Sequence, residues 1–245
     1  MQHTFIGIIP ARYASTRFPG KPLVMIGGMS MLQRVYEQAL KTKNLKRVIV
    51  ATDDERIAEH VKSFGGEVMV TSPLHQSGTD RCAEVISKLD TAFDIAVNIQ
   101  GDEPYIQPEQ IDLLCSCFKI AATEIATLIK STTNMDEIIN PNVVKAVVSK
   151  SQRALYFSRS PIPFNRNKKQ DVAYYKHVGI YAYRVAVLKL LAALPESLLE
   201  QAESLEQLRW LENGFHIQTA LTNFETIAID TPEDLERLKK VLANG

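Results

Sequence analysis

Cysteine is scarce in this sequence: Cys82, Cys115 and Cys117 are its whole complement. Their odd number, with no Cys-x-x-Cys or Cys/His ligand spacing, excludes a disulfide framework and a structural zinc site, and fits a reducing cytoplasm. Long apolar runs are also missing. The apolar segment at residues 5–9 is too brief for a signal sequence and is followed by Arg12 rather than a small-residue cleavage site, and no stretch is long enough to span a bilayer. Net charge is absent as well, with 28 Lys and Arg against 28 Asp and Glu, so nothing in the bulk charge calls for a nucleic-acid or membrane partner. Any affinity for anions must be local. Two familiar phosphate loops are lacking too. A Walker A loop would need Gly at Ser15 and Ser or Thr at Pro22, and no Gly-x-Gly-x-x-Gly follows the first apolar run.

What is present is alternation. Short apolar runs at residues 5–9, 47–51, 67–71 and 95–99 alternate with helical patterns at 30–43, 55–64, 79–89 and 108–119. This predicts a doubly wound, mostly parallel α/β sheet, and 245 residues suffice for a single domain, 1–245. Ser30 is placed to cap the first helix, with Met31, Leu32, Val35, Ala39 and Leu40 at helical spacing behind it. The second half differs. Residues 125–131, 143–148, 154–157 and 174–183 read as strands with longer polar connections, 159–173 as an exposed loop, and 205–213 and 232–242 as helices.

In open sheets of this kind ligands bind beyond the carboxyl ends of the strands. The first such end carries Ile8-Ile-Pro-Ala-Arg-Tyr-Ala-Ser-Thr-Arg-Phe-Pro-Gly-Lys-Pro-Leu23, which puts Arg12, Arg17 and Lys21 on one loop, and no acid precedes Glu37. Such a loop is an anion trap, and Gly20 lets backbone N–H groups approach a phosphate. A nucleoside triphosphate is the expected guest. The fourth run ends in Gln100-Gly-Asp-Glu-Pro104 and places Asp102 on a turn facing those cations, a position suited to Mg²⁺, which favours one or two carboxylates together with substrate phosphates. Asp230, before Thr231-Pro232, is a second candidate and could equally be a helix cap.

These segments, with Val50-Ala-Thr-Asp-Asp54, His75-Gln-Ser-Gly-Thr-Asp-Arg81, Asn98-Ile-Gln-Gly-Asp-Glu-Pro104, Asn140-Pro-Asn-Val-Val-Lys145, Tyr156-Phe-Ser-Arg159, His177-Val-Gly-Ile-Tyr181, Leu205-Glu-Gln-Leu-Arg209 and Asp230-Thr-Pro-Glu-Asp-Leu235, run in an order that closely resembles the 3-deoxy-manno-octulosonate cytidylyltransferase (CMP-Kdo synthetase) family over nearly the whole chain. The resemblance implies a Rossmann-like fold of the nucleotide-diphospho-sugar transferase type. It also implies attack of the anomeric hydroxyl of 3-deoxy-manno-octulosonate (Kdo) on the α-phosphorus of CTP, giving CMP-Kdo and pyrophosphate for lipopolysaccharide assembly. Carried over position by position, Arg12, Arg17 and Lys21 would hold the triphosphate, and Ala11, Ser77, Gly78, Arg81 and Gln100 would complete the nucleotide contacts. Asp102 and Asp230 match Mg²⁺ ligands, making Lys21, Asp102 and Asp230 the catalytic set. Gln100, Arg159, His177, Glu206 and Gln207 match a sugar pocket in which an arginine fork suits a carboxylate. Taken alone, His177 reads as a hydrogen-bonded strand histidine and Glu206-Gln207 as an exposed first turn. A homodimer joined through residues 130–190 is also implied. The rival readings are a CMP-sialic acid synthetase, a hexose-1-phosphate nucleotidylyltransferase and a nucleotide-binding regulator without chemistry. Retention of both Asp102 and Asp230 argues against the regulator.

Overall fold

The computed structural model describes residues 3–14, 18–167, 172–225, 229 and 233–236. The chain forms two compact units, one from residues 1–112 with 225–245 and the other from residues 113–224.

The first unit begins with β1 (Phe5–Ala11), a hairpin of β2 (Met25–Ile26) and β3 (Met29–Ser30), and α1 (Met31–Leu40). It continues through β4 (Leu45–Thr52), α2 (Glu55–Ser63), β5 (Val68–Val70), α3 (Gly78–Lys88) and β6 (Ile95–Asn98). The start of α4 (Pro108–Ser116) ends the continuous part of the unit. Strands β6, β1, β4 and β5 lie side by side in that order, all parallel. Ile6, Ile8, Ile9, Ile49, Val50, Ile95 and Val97 are fully buried, as expected of parallel strands covered on both faces, which read as unbroken apolar runs rather than alternations. The register sets Ala11 beside Thr52 and Ile8 beside Asn98, so the carboxyl ends of β1, β4 and β6 share one edge.

Local chemistry explains the helices. Ser30 caps α1 by accepting the Gln33 N–H at 3.0 Å, as its position before the apolar stripe predicts. Asp54 caps α2, and Gly65, at φ +78°, ends it with its N–H on the Lys62 carbonyl while Gly66 reaches Val61. Ser77 and Asp80 form a reciprocal capping box at α3.

The second unit holds β7 (Ile125–Thr132), α5 (Met135–Ile139), β8 (Lys145–Val148), β9 (Ala154–Ser158) and β10 (Tyr174–Arg184). Then come α6 (Val185–Ala192), α7 (Leu198–Glu203), α8 (Glu206–Glu212) and β11 (Ile217–Leu221). Strand β7 pairs parallel with β11 and antiparallel with β10, and β8 pairs antiparallel with both β10 and β9. The sheet is thus parallel in the first unit and mixed in the second, matching the predicted α/β class. The strand expected at 143–148 starts only at Lys145, because Asn140–Val143 is a turn closed by the Val143 N–H on the Asn140 carbonyl at 3.1 Å. The helix expected at 108–119 tightens after Ser116 into a 3-10 turn, Cys117–Lys119. The helix expected at 232–242 is described only at residues 233–236, where it is helical. Among the described residues no helix is long and apolar enough to cross a membrane.

Candidate functional site

Beyond the shared strand edge of the first unit lies a cleft of about 480 Å³ lined by Ala11, Arg12, Lys21, Gly78, Arg81 and Asp102, among others. The chain leaves β1 at Ala11 and folds back on itself, with the Gly20 N–H on the Tyr13 carbonyl at 2.9 Å. Gly20 is left-handed, at φ +72°, and a Cβ there would stand 3.3 Å from the Tyr13 ring, so glycine is required for this close return. The Tyr13 ring also carries the Arg56 guanidinium, 3.3 Å from the ring centroid. The turn delivers Lys21 to the cleft, where its Nζ meets Asp102 Oδ2 at 2.7 Å. A loop without acids in sequence therefore acquires one in space, from the end of β6, as the facing turn predicts.

Two further cations approach from different elements. Arg12 donates from Nη2 to the His75 carbonyl. Arg81, fully buried on α3, donates from Nη1 to Thr71 Oγ1 at 2.6 Å and lies 3.3 Å from Asp53 Oδ2. Burial first, and then the nearby Arg81 charge, lowers the Arg12 pKa from its ordinary value, against an opposing pull from Asp53 and Asp80. The two guanidinium groups repel each other, and an anion in the cleft would relieve that repulsion.

Backbone approach is built in at two more points. Gly78 opens α3, and a Cβ there would meet Pro10 at 3.3 Å and Asn98 at 3.4 Å; at Gly101 it would meet the Pro10 carbonyl oxygen at 3.0 Å. Ser77 stands beside this lining with its hydroxyl committed to the cap, accepting the Asp80 N–H at 3.1 Å. Gln100 lines the cleft. The structure thus brings Ala11, Arg12, Lys21, Gly78, Arg81, Gln100 and Asp102 together, while Arg17 and Asp230, with the Thr231-Pro232 helix start, lie outside the described residues. Ile229, one residue before Asp230, donates its N–H to the Asp102 carbonyl at 3.0 Å. Asp53 was legible only as part of Thr52-Asp53-Asp54; its pairing with Arg81 carried no sequence signal.

The second unit gathers its own polar set. Arg159 donates from Nε to the Glu203 carbonyl at 2.6 Å, from Nη1 to Pro141 at 3.0 Å and from Nη2 to Ser204 at 3.3 Å. That anchors it against the chain entering α8, where Glu206 and Gln207 form the first turn; Gln207 is buried, not exposed. His177 on β10 packs edge-on to Phe157, 5.1 Å between centroids, and against Tyr181 at 5.3 Å, with Nε2 3.0 Å from Thr127 Oγ1. Burial pushes its imidazole pKa down to about 3, so the ring is neutral at physiological pH.

Parallel strands whose shared carboxyl edge presents a cationic loop, a glycine-opened helix and one aspartate define a nucleotide-binding α/β protein. A family model described as "Cytidylyltransferase" matches residues 6–240. The chain is 55% identical to the 3-deoxy-manno-octulosonate cytidylyltransferase of Parabacteroides distasonis and 56% identical to that of Bacteroides thetaiotaomicron, each comparison covering 98% of both chains. It is also similar to a solved CMP:2-keto-3-deoxy-manno-octonic acid synthetase complexed with CTP, with a TM-score of 0.92 and 46% identity over 98% of this chain and 99% of that one. The chain belongs to the cytidylyltransferase family, within its 3-deoxy-manno-octulosonate branch.

Proposed function

We propose that this chain transfers CMP from CTP to the anomeric hydroxyl of Kdo. A bond forms from that hydroxyl oxygen to the α-phosphorus, the bond from the α-phosphorus to the bridging oxygen of pyrophosphate breaks, and the hydroxyl proton is released. The observation that carries this reading is the convergence of Arg12, Lys21 and Arg81 on one cleft beside Asp102, the one carboxylate lining it among the described residues. An in-line phosphoryl displacement loads charge onto non-bridging and leaving oxygens, so preorganised cations lower its barrier without a protein nucleophile. Arg12 and Lys21 hold the triphosphate, Arg17, between them in the sequence, is assigned to the same role, and the glycines at 78 and 101 admit the nucleotide close to backbone.

The donor chemistry fits Mg²⁺. Asp102 offers a hard carboxylate, 27% exposed, whose Oδ1 accepts no hydrogen bond from the described residues. Magnesium held by one or two carboxylates and completed by substrate phosphate needs no larger acidic cluster. Asp102 and Asp230 would hold it, and when bound it would neutralise phosphoryl charge and acidify the attacking hydroxyl.

For the sugar, Arg159 keeps guanidinium N–H groups beyond its three carbonyl bonds for the Kdo carboxylate, Glu206 and Gln207 read hydroxyls, and neutral His177 acts as a hydrogen-bonding group rather than a charge. Buried free cysteines at 82, 115 and 117 accord with work in the cytoplasm. A homodimer through residues 130–190 is supported by exposed Met135, Ile139 and Phe164 around an apolar hollow of about 520 Å³. The deciding experiment is pyrophosphate release across a panel of nucleotides and acceptor sugars. Turnover confined to CTP with Kdo or its 8-amino analogue is expected; turnover with a hexose 1-phosphate or a sialic acid instead would overturn the reading.

A further inference from the structure

The segment joining β5 to α3 borders the cleft, and two carboxylates of α3 fix it. Asp80 holds its end, accepting N–H groups from Gln76 at 3.3 Å and Ser77 at 3.1 Å. Glu84, one helical turn on, holds its beginning. Its Oε2 accepts the Ser72 N–H at 2.8 Å and also bonds His75 Nε2, while its Oε1 takes Lys88 Nζ at 2.6 Å. An ionised carboxylate only accepts, so His75 Nε2 carries the proton. Burial alone would raise the Glu84 pKa, but the donors from Lys88, Ser72 and His75 outweigh it and hold the group at about 2. The His75 carbonyl is the group that accepts from Arg12 Nη2. Neither Glu84 nor the His75 ring has any part in the proposed chemistry, yet the His75 carbonyl bonds Arg12 and Glu84 bonds the His75 ring.

We propose that Glu84 and the His75 ring are positioning residues for the nucleotide site: pinned to α3, the ring fixes the His75 carbonyl, and that carbonyl aims the Arg12 guanidinium into the cleft. This rests on the reading in which Arg12 binds the triphosphate. An arginine left to sample several rotamers must be ordered again by each incoming nucleotide, which raises the CTP KM and leaves the chemical step nearly untouched.

The test is steady-state pyrophosphate release with CTP varied at saturating Kdo. Glu84→Ala is expected to raise the CTP KM by about three- to tenfold, the cost of ordering one rotamer-rich side chain, with kcat within about twofold. Glu84→Gln keeps an oxygen for Ser72 and His75 and gives up only Lys88, so it restores the KM to within about twofold of the parent, as does Lys88→Ala, whose half-exposed ion pair contributes little. His75→Ala, which keeps the backbone carbonyl, repeats the Glu84→Ala effect and carries the test should Glu84→Ala not fold. In an Arg12→Ala background, Glu84→Ala or His75→Ala adds no further rise. If Arg12→Ala itself leaves the CTP KM unchanged, the assignment of Arg12 to the triphosphate fails and the proposal with it. If Arg12→Ala raises KM but Glu84→Ala and His75→Ala do not, or their effects persist without Arg12, the positioning role alone is overturned.

Discussion

Asp102 holds one oxygen on Lys21 and lines the cleft, so its charge orders a cation there, and in the proposed reading it is also a metal ligand. Asp102→Asn keeps the shape and loses the charge. We expect a folded protein whose turnover falls at least about tenfold, roughly 1.4 kcal/mol in barrier, at saturating Mg²⁺; near-normal kcat there would remove Asp102 from the chemistry. His177 makes a different prediction. Its folded pKa of about 3 lies below the ordinary 6.5, so on acidification the unfolded chain takes up the proton first, and stability is lost as pH falls from about 6.5 towards 3. Glu84, held at about 2 against an ordinary 4.5, adds a loss in the same direction in a lower window, from about 4.5 down to 2. Urea midpoints measured near pH 7 and near pH 5 should therefore fall less in His177→Gln than in the parent. An equal fall in both would place the acid sensitivity elsewhere.

Elements whose ends carry chemical punctuation were legible, and those without it were not. Strands β1, β4 and β6 announced themselves as apolar runs, and α1 showed its cap at Ser30. By contrast α6 follows β10 with no break, opens on Val-Ala-Val and has no side-chain cap at Arg184, so its first residues read like more strand. Helix α7 does carry a capping box, Ser197 with Glu200, but spans only six residues, and β11 spans only five, Ile217–Leu221. The site was legible as residue types on strand ends. Its pairings were legible only in part: the Asp102 turn was expected to face the cationic loop and meets Lys21 there, but Arg12 meets His75 from 63 positions away, a separation set by the sheet and by no local rule. The turn after β6 offers an element-scale test. In Gly101→Ala the new Cβ would press on the Pro10 carbonyl oxygen at 3.0 Å, which backbone must relieve. A stability loss of about 1–3 kcal/mol is expected, together with a lower kcat/KM for CTP, as the β6 turn moves off β1. An unchanged denaturation midpoint would show that the contact relaxes without cost.

For the molecule as a whole, the alternation of strands and helices made the first unit predictable, whereas the division into two units had no counterpart in composition or linkers. The first unit is discontinuous, since its chain departs at Asp112 and resumes at Glu225. The inserted unit carries Phe164 at 86% exposure, with Met135 and Ile139 nearby on the rim of the apolar hollow. If that rim joins two copies, Phe164→Glu should shift the species seen by light scattering from dimer towards monomer while each chain stays folded. A variant that keeps the parent's mass would move the contact to another face.

The backbone bond from Ile229 to Asp102 gives the first unit a schedule as well as a shape. Ile229 and Leu235 also complete a small core with Ile26 and Met31, against which Phe18 of the cationic loop and Val24 are packed. A ribosome that has delivered the first hundred or so residues has made nearly every cleft-lining side chain, but neither the partner for the Asp102 carbonyl nor half of that small core. The nascent chain therefore waits through the whole inserted unit before its nucleotide cleft closes on itself. Completion of the site is tied to the segment that follows the inserted unit, and a message truncated after the second unit yields a protein without the Ile229 bond to Asp102 and without half of that small core.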